Sequence, residues 1–174
     1  MKTRLFVAIC LIAFAVCGMG NIAFGQNEVT ESITTTWHTV AKVIPLEEGR
    51  LYMSYEGVGV TVNDTGEGLF HNATNRVLGG MLIEKGICND ERGWGVLNLV
   101  NGDKVFYSYA NSGAMKPPGG GIASIAKVIF TFTGGTGKCA GIQGSFEGTR
   151  YSLKSALEGT LQAYNKGNIK YKLP

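Results

Sequence analysis

Four polar side chains that could carry acid–base chemistry alternate along one predicted strand that begins at Gln143. These are Ser145, Glu147, Thr149 and Tyr151, and they share a face because successive strand residues point to opposite sides. If that face points inward, Glu147 and Tyr151 form an acid/base pair in an apolar pocket, with the pKa of Glu147 raised by burial. If it points outward, the four side chains simply meet water, as in most half-buried antiparallel strands. Alternation alone does not choose between the faces, and we favour the solvent-facing interpretation.

A second group of candidate ligand-binding residues lies at a predicted turn-to-strand junction: Glu67, Phe70, His71 and Asn72. A histidine beside an asparagine could bind or protonate a ligand there, since imidazole changes its charge near physiological pH. The alternative is that His71 only hydrogen-bonds the backbone of a loop, which is the commoner role for a lone histidine. With two histidines and no nucleophile elbow, the chain predicts no Ser-His-Asp arrangement.

The glycine cluster Gly134–Gly144 has the spacing of a nucleotide-binding loop but lacks its context. Gly135–Ala140 fits the dinucleotide pattern, which requires a helix to begin there, and more glycines follow instead. A Walker loop fails as well, because Phe132 stands where its first glycine belongs and Cys139 where its Ser or Thr belongs. We therefore predict that the cluster shapes a β-hairpin, with glycines supplying backbone conformations that other residues avoid, and that the chain binds no nucleotide cofactor.

The segment Phe132–Gly144 resembles the glycine-rich hairpin of the allene oxide cyclase and dirigent-type barrels. Gly66–Thr74 and Asn101–Val105 are similar to segments of small secreted bacterial proteins of that superfamily, and the resemblance spans most of Leu51–Pro174. It implies an antiparallel eight-stranded, calycin-like barrel with an apolar central cavity, trimeric in the plant members. Cys139 departs from the aromatic or hydrophobic residue usual at its position. The family's catalytic and charged pocket residues have no one-to-one match here, so the resemblance implies the fold and not an activity.

The hydrophobic pattern of the chain independently favours strands. Leu51, Met53 and Tyr55 alternate, and after Gly57 the apolar positions move to the even set Val58–Val62. Such a change of parity predicts a β-bulge, since one extra residue turns the following side chains to the other face.

Turn residues punctuate these alternating runs, and no segment has a long helical period. Trp94–Val100 and Asp103–Ala110 flank an Asn-Gly pair that predicts a type I′ hairpin. We predict a single antiparallel β-barrel of about eight strands with little helix. Three strand aromatics, Tyr107, Phe130 and Phe132, are further candidates to line a ligand cavity in it.

The N-terminus predicts export. Lys2 and Arg4 precede the apolar run Leu5–Val16, and Ala23–Gly25 offers small residues where a signal peptidase cleaves. We expect residues 1–25 to be a signal peptide, with cleavage between Gly25 and Gln26, and residues 26–174 to form one domain in the periplasm or outside the cell.

The charge balance predicts neither nucleic acid nor an anionic membrane surface as a partner. The whole chain has 16 Lys and Arg against 13 Asp and Glu, and Lys2 and Arg4 leave with the signal peptide. The mature chain is therefore nearly neutral, and it has no cluster of basic residues interleaved with aromatic ones.

Of the four cysteines, Cys10 and Cys17 lie in the predicted signal peptide. Val16 is too large for the residue that precedes a lipidated cysteine, which argues against a lipoprotein. Cys88 and Cys139 remain, and in an oxidising compartment we favour a disulfide between them over two separate buried thiols. The two histidines are the other candidate zinc ligands, and they lie at no recognisable spacing from these cysteines. We therefore predict no zinc site.

Three hypotheses about function remain open at this point. The leading one is an exported barrel, without catalysis or only weakly catalytic, that encloses a small apolar molecule, as barrels of this size can. The second is an isomerase or cyclase related to the plant barrels, which requires Glu147 or Tyr151 inside the cavity. The third is a structural or assembly protein that forms homo-oligomers through its outer face.

Overall fold

A computed structural model describes residues 27–85, 87–114, 122–154 and 158–174, and the predicted signal peptide lies outside the described residues. Eight strands form a closed antiparallel barrel, with a short 3₁₀ turn at Gly137–Cys139, so the fold prediction is confirmed. The strands are β1 (Val29–Glu47), β2 (Arg50–Asn63), β3 (Ala73–Glu84), β4 (Ile87–Asn98), β5 (Lys104–Ala114), β6 (Ser124–Gly135), β7 (Gln143–Ser152) and β8 (Thr160–Lys172). No helix among the described residues is long and apolar enough to cross a membrane.

Each strand pairs with its successor, and β8 closes the barrel by pairing with β1. Trp37 in the middle of β1 lies opposite Gly59 of β2 on one side and Ala163 of β8 on the other. Closure gives each strand a neighbour on both sides, and between β5 and β6 the ladder joins Val105–Tyr109 to Phe130–Gly135. The predicted hairpin around Asn101-Gly102 connects β4 to β5, but only Gly102 has a positive φ, of 88°, so its turn is not type I′.

The predicted β-bulge at Gly57 is wrong. The pairing of β2 with both neighbours is continuous through this point, so Val58, Val60 and Val62 point outward and Gly57 and Gly59 point inward. The inward glycines leave room for the indole of Trp37 from β1. A Cβ at Gly59 would lie 3.1 Å from Trp37 Cε3, closer than side chains normally approach.

Inward glycines also make room for aromatic side chains along β3 and β4. Gly79 and Gly93 are opposite each other in register, and a Cβ on either would collide with the hydroxyl of Tyr109. Gly95 leaves the same kind of space for the ring of Tyr107. Several inward positions on β2, β3 and β4 are therefore glycine. Large aromatic side chains from β1 and β5 fill the interior space next to these glycines.

The loop between β2 and β3 closes one end of the barrel. Phe70 is fully buried, with its ring centroid 5.6 Å from that of Phe132 and 5.3 Å from that of Tyr171. The buried carboxylate of Glu31 holds this loop, accepting hydrogen bonds from the backbone N–H of Leu69 at 2.9 Å and from the Tyr171 hydroxyl at 2.8 Å. The loop therefore acts as a plug that completes the core.

The predicted disulfide is wrong. Cys88 lies at the start of β4, whereas Cys139 lies in the 3₁₀ turn between β6 and β7. The up-and-down order of the strands places these two points at opposite ends of the barrel. Both residues are buried free thiols that pack as small hydrophobic side chains, which is the alternative the sequence left open.

Candidate functional site

A buried ion pair crosses the interior of the barrel. The guanidinium of Arg150 on β7 donates to both carboxylate oxygens of Glu91 on β4, from Nη1 to Oε1 at 2.8 Å and from Nη2 to Oε2 at 3.0 Å. The Glu91 residue is 1% exposed. Since β4 and β7 are not neighbours in the sheet, the two side chains meet across the barrel and join its opposite walls.

Three further polar side chains complete this cluster around Glu91. The hydroxyl of Tyr55 donates to Oε1 at 2.6 Å and lies 2.5 Å from the hydroxyl of Tyr109. The amide of Asn111 donates to Oε2 at 3.4 Å. Both oxygens of the carboxylate therefore have several donors, as a buried charge requires if it is to remain ionised.

The local charges keep this pair ionised. Burial alone would raise the pKa of Glu91, but the charge and hydrogen bonds of Arg150 hold that pKa below its ordinary value. Burial opposes the charge on Arg150, yet the carboxylate keeps the pKa of the guanidinium above its usual range. Burial, and after it the charge of Glu91, raises the pKa of Tyr55. At neutral pH the cluster is an ion pair surrounded by neutral phenols, with its carboxylate engaged by donors and poorly placed to remove a proton from a substrate.

The nearby Cys88 is chemically quiet for the same reason. Burial, with the negative charge of Glu91, raises the pKa of the Cys88 thiol to about 11. The thiolate is the reactive form of cysteine, so at neutral pH this side chain is a weak nucleophile.

An interior cavity of about 40 Å³ lies beside the ion pair. Tyr107 and Phe130, two of the residues predicted to line a cavity, do line this one, whereas Phe132 packs against Phe70 in the plugged end. The remaining lining residues are Trp37, Thr39, Tyr55, Val77, Tyr109, Arg150, Leu161, Ala163 and Asn165. The cavity is thus walled by aromatic and aliphatic side chains, with a few polar groups among them.

The acid/base interpretation of Glu147 and Tyr151 is wrong, and the solvent-facing interpretation is confirmed. The Glu147 side chain is 63% exposed on the outer wall and forms an ion pair with Lys127 on β6. The hydrogen bond from Lys127 lowers the pKa of Glu147, which is opposite to the effect that burial would have. Tyr151 also lies on the outer wall, where its ring stacks on Tyr164 at a centroid distance of 4.9 Å. The inward positions of β7 belong to the other parity, which includes Arg150.

The residues predicted around His71 do not converge on a cavity. Glu67 and Asn72 are exposed, whereas Phe70 is buried in the plug. The Nδ1 atom of His71 accepts a hydrogen bond from the backbone N–H of Asn63 at 3.2 Å. The alternative that this histidine supports the backbone of its loop therefore matches the geometry.

The glycine cluster of the β6–β7 hairpin forms a turn, as predicted. Gly137 and Gly141 have φ values of 54° and 86°, in the region that favours glycine. The backbone N–H of Lys138 donates to Asp103 Oδ2 at 3.1 Å, and the Lys138 side chain is exposed. The carboxylate of Asp103 therefore helps to hold the backbone of this turn.

The outer wall of β2–β5 exposes several large apolar side chains, and we call five of them the outer apolar face: Val58, Val60, Leu78, Trp94 and Phe106. Trp94 is 69% exposed and lies directly opposite Leu78 in register. On the adjoining strands β6–β8 the outer wall carries charged side chains, with Lys127, Glu147, Lys166 and Lys170 exposed. Large apolar side chains are therefore more frequent on the first of these walls, and lysines are more frequent on the second.

Sequence comparison adds no functional information for this chain. A scan against models of known protein families and a search of curated proteins give no match. The resemblance to the allene oxide cyclase and dirigent-type barrels therefore stays a prediction, and function has to be argued from the geometry of the interior and of the outer wall.

Proposed function

We propose that the protein is an exported, non-enzymatic assembly module that associates with a second copy of itself through the outer apolar face. The observation that carries this proposal is the group of exposed apolar side chains on the outer wall of β2–β5, which surround a single ion pair. Large exposed apolar patches are uncommon on soluble monomers and usually mark a surface that another molecule covers. The N-terminal sequence supports export, and the barrel provides a rigid wall for the contact.

The register of the strands places the apolar residues around polar ones, since Val58 is opposite Arg76 and Val60 is opposite Thr74. Val58 and Val60 are successive outward residues of β2, and Glu56 before them is opposite Leu78. Leu78 is opposite Trp94 on β4, and the next outward residue of β4, Val96, is opposite Phe106 on β5. Cross-strand neighbours of this kind have Cβ atoms about 5 Å apart, so their side chains form one surface.

The charges within the patch favour a second copy as the partner. Arg76 and Glu56 lie among the apolar residues and form an ion pair, with Arg76 Nε 2.8 Å from Glu56 Oε1. Because this acid and this base neutralise each other, the same face of a second copy can approach without like-charge repulsion. The wall of β6–β8 has more lysines than acids, so two such walls would repel each other.

The interior supports the apolar-ligand hypothesis less well than the outer wall supports assembly. The cavity beside the ion pair measures about 40 Å³, whereas pockets for drug-sized ligands measure roughly 300–1,000 Å³. The isomerase hypothesis depended on an inward-facing Glu147 or Tyr151, and both side chains lie on the outer wall.

Sedimentation velocity of the mature protein over a range of concentrations tests this proposal. We expect the wild-type protein to shift from monomer to a larger species as its concentration rises, and Trp94→Lys to remain a monomer. Ile129→Lys is the matched control, since Ile129 is an exposed apolar residue on β6, outside the outer apolar face. A wild-type protein that stays monomeric up to ~100 µM would refute the proposal, because the association would then be weaker than a specific interface provides.

A further inference from the structure

We propose that the interior cavity beside Arg150 binds a small neutral molecule, or the end group of a larger one, that carries an oxygen acceptor next to a polar N–H donor. A primary amide is the simplest such group. The proposal rests on three buried polar atoms that belong to residues lining this one cavity and have no hydrogen-bond partner in the described part of the chain. It does not depend on self-association, because the cavity lies inside the barrel and the outer apolar face lies on its surface.

The three atoms are two donors and one acceptor. The donors are the indole N–H at Nε1 of Trp37 and the guanidinium N–H at Nε of Arg150, and the acceptor is Oδ1 of Asn165. Trp37 is 9% exposed and Asn165 is 2% exposed. Buried polar groups in folded proteins are nearly always paired, so three unpaired ones around the same space indicate that a polar occupant completes them.

Adjacent strands hold these atoms in place. Arg150 on β7 is directly opposite Asn165 on β8, and Ala163, two residues before Asn165, is opposite Trp37 on β1. The inward side chains of β7, β8 and β1 thus converge on the cavity from one side. Phe130 and Tyr109 line it as well, and they supply flat apolar surface for the rest of the ligand.

The electrostatics select a neutral ligand. The positive charge of Arg150 is already matched by the bidentate contact with Glu91, which uses its two terminal nitrogens and leaves Nε free. An anion in the cavity would bring a second negative charge next to a buried carboxylate, without a second cation among the lining residues. A neutral carbonyl oxygen can accept from Trp37 and Arg150 without that cost.

The size of the cavity limits the group that enters it. A volume of about 40 Å³ is room for roughly three water-sized groups, which matches a molecule of about four non-hydrogen atoms. Within that size, an amide oxygen can accept from the two donors while the amide N–H donates to Asn165. A ketone of the same shape lacks the donor, and a carboxylate of the same shape carries the disfavoured charge.

The test is a ¹⁵N-NMR titration of the mature protein with acetamide, acetone and acetate, three probes of nearly equal shape. The chain has two tryptophans, so the indole N–H of exposed Trp94 serves as an internal reference for that of Trp37. We expect acetamide to shift the Trp37 indole signal saturably, at about millimolar concentrations given the small number of contacting atoms. Acetone should bind at least several-fold more weakly and acetate should not saturate, while Trp94 should show no saturable shift with any probe.

Two outcomes would overturn the proposal. One is a Trp37 signal that does not change up to the highest acetamide concentration, which would mean that only water hydrogen-bonds to the three polar atoms. The other is an equal response to all three probes, which would show that the cavity does not recognise an amide. Asn165→Leu should weaken acetamide binding at least tenfold, with Asn168→Leu on the exposed side of the same strand as the control. If Asn165→Leu does not fold, the comparison of the three probes on the wild-type protein still decides.

Discussion

The carboxylate of Glu91 and the guanidinium of Arg150 face each other across the barrel with two parallel hydrogen bonds of 2.8 and 3.0 Å. The two residues are 59 positions apart in the sequence and lie on strands that do not pair with each other. The contact therefore ties two halves of the sheet together through the interior. Because both charges are largely removed from water, each depends on the other far more than an exposed pair would.

Removing one partner of this pair should be costly. We expect Arg150→Met to lower the free energy of unfolding by about 3–5 kcal/mol, because it leaves the Glu91 carboxylate buried without its cation. Replacing both residues with methionine should cost less than Arg150→Met alone. Urea denaturation measures both, with Lys127→Met as a control that removes an exposed ion pair and should change stability by less than about 1 kcal/mol. A double variant that is less stable than Arg150→Met would contradict this account.

The same pair predicts a loss of stability in acid. The pKa of Glu91 is lowered in the folded protein, so its contribution to stability is complete above the unfolded value of about 4.3 and is lost as the pH falls through the folded value. The free energy of unfolding of the wild-type protein should therefore fall more steeply below pH 4.3 than that of Glu91→Gln. Chemical denaturation at several pH values measures the two slopes. Parallel profiles would show that this carboxylate is not the group that titrates.

Adding even a methyl side chain at an inward glycine of β2 should destabilise the folded protein. A Cβ at Gly59 would meet Trp37 Cε3 at 3.1 Å and the backbone carbonyl of Thr36 more closely still. We expect Gly59→Ala to lower the free energy of unfolding by about 1–3 kcal/mol, since overpacking displaces a backbone that cannot easily move. Val60→Ala, an outward change on the same strand, should cost less. Thermal unfolding of the two variants provides the comparison, and equal melting temperatures would refute the inward placement of Gly59.

The thiols of Cys88 and Cys139 should be unpaired but protected from alkylation in the folded protein. Cys139 is fully buried, and burial raises the pKa of the Cys88 thiol to about 11. We expect native mature protein, exported and never reduced, to react slowly with iodoacetamide and to take up two labels per chain after unfolding. Mass spectrometry of the intact protein counts the labels. A peptide containing both cysteines joined by a disulfide would contradict the structure.

The sequence predicted the barrel but not which face of each strand points inward. Alternation and turn residues are enough to indicate strands, and closure follows when no strand is left as an edge. The orientation of β2 was misread because its inward positions are Gly57 and Gly59, which have no side chain to signal burial. The apolar pattern there belongs to Val58 and Val60, which lie on the outer wall. The pairing of β2 with β1, which places Trp37 over these glycines, shows that they point inward. Such a register depends on contacts between residues that are distant in the sequence.

The interior ion pair was missed for a related reason. Arg150 has the same parity as the buried Phe146 on β7, and Glu91 has the same parity as Leu97 on β4. The signal available in the sequence was a base on the predicted apolar face of β7, whereas Glu91 precedes the strand that the sequence predicts from Trp94. It was not used, because charged residues are seldom placed in a core and nothing local indicates that two of them, on strands 59 residues apart, would meet. The disulfide prediction failed likewise, since the compartment suggests pairing but only the strand order shows that the cysteines lie at opposite ends.

The most direct test of the proposed assembly is the accessibility of Trp94 as a function of protein concentration. In Trp37→Phe, Trp94 is the remaining tryptophan, so its fluorescence and its quenching by iodide report on the outer apolar face alone. We predict strong quenching at low concentration, and a blue shift with weak quenching at concentrations where sedimentation detects the larger species, because a second copy then covers the indole. Quenching of Trp94 that is equally strong in the monomer and in the larger species would contradict the proposal that this face forms the interface.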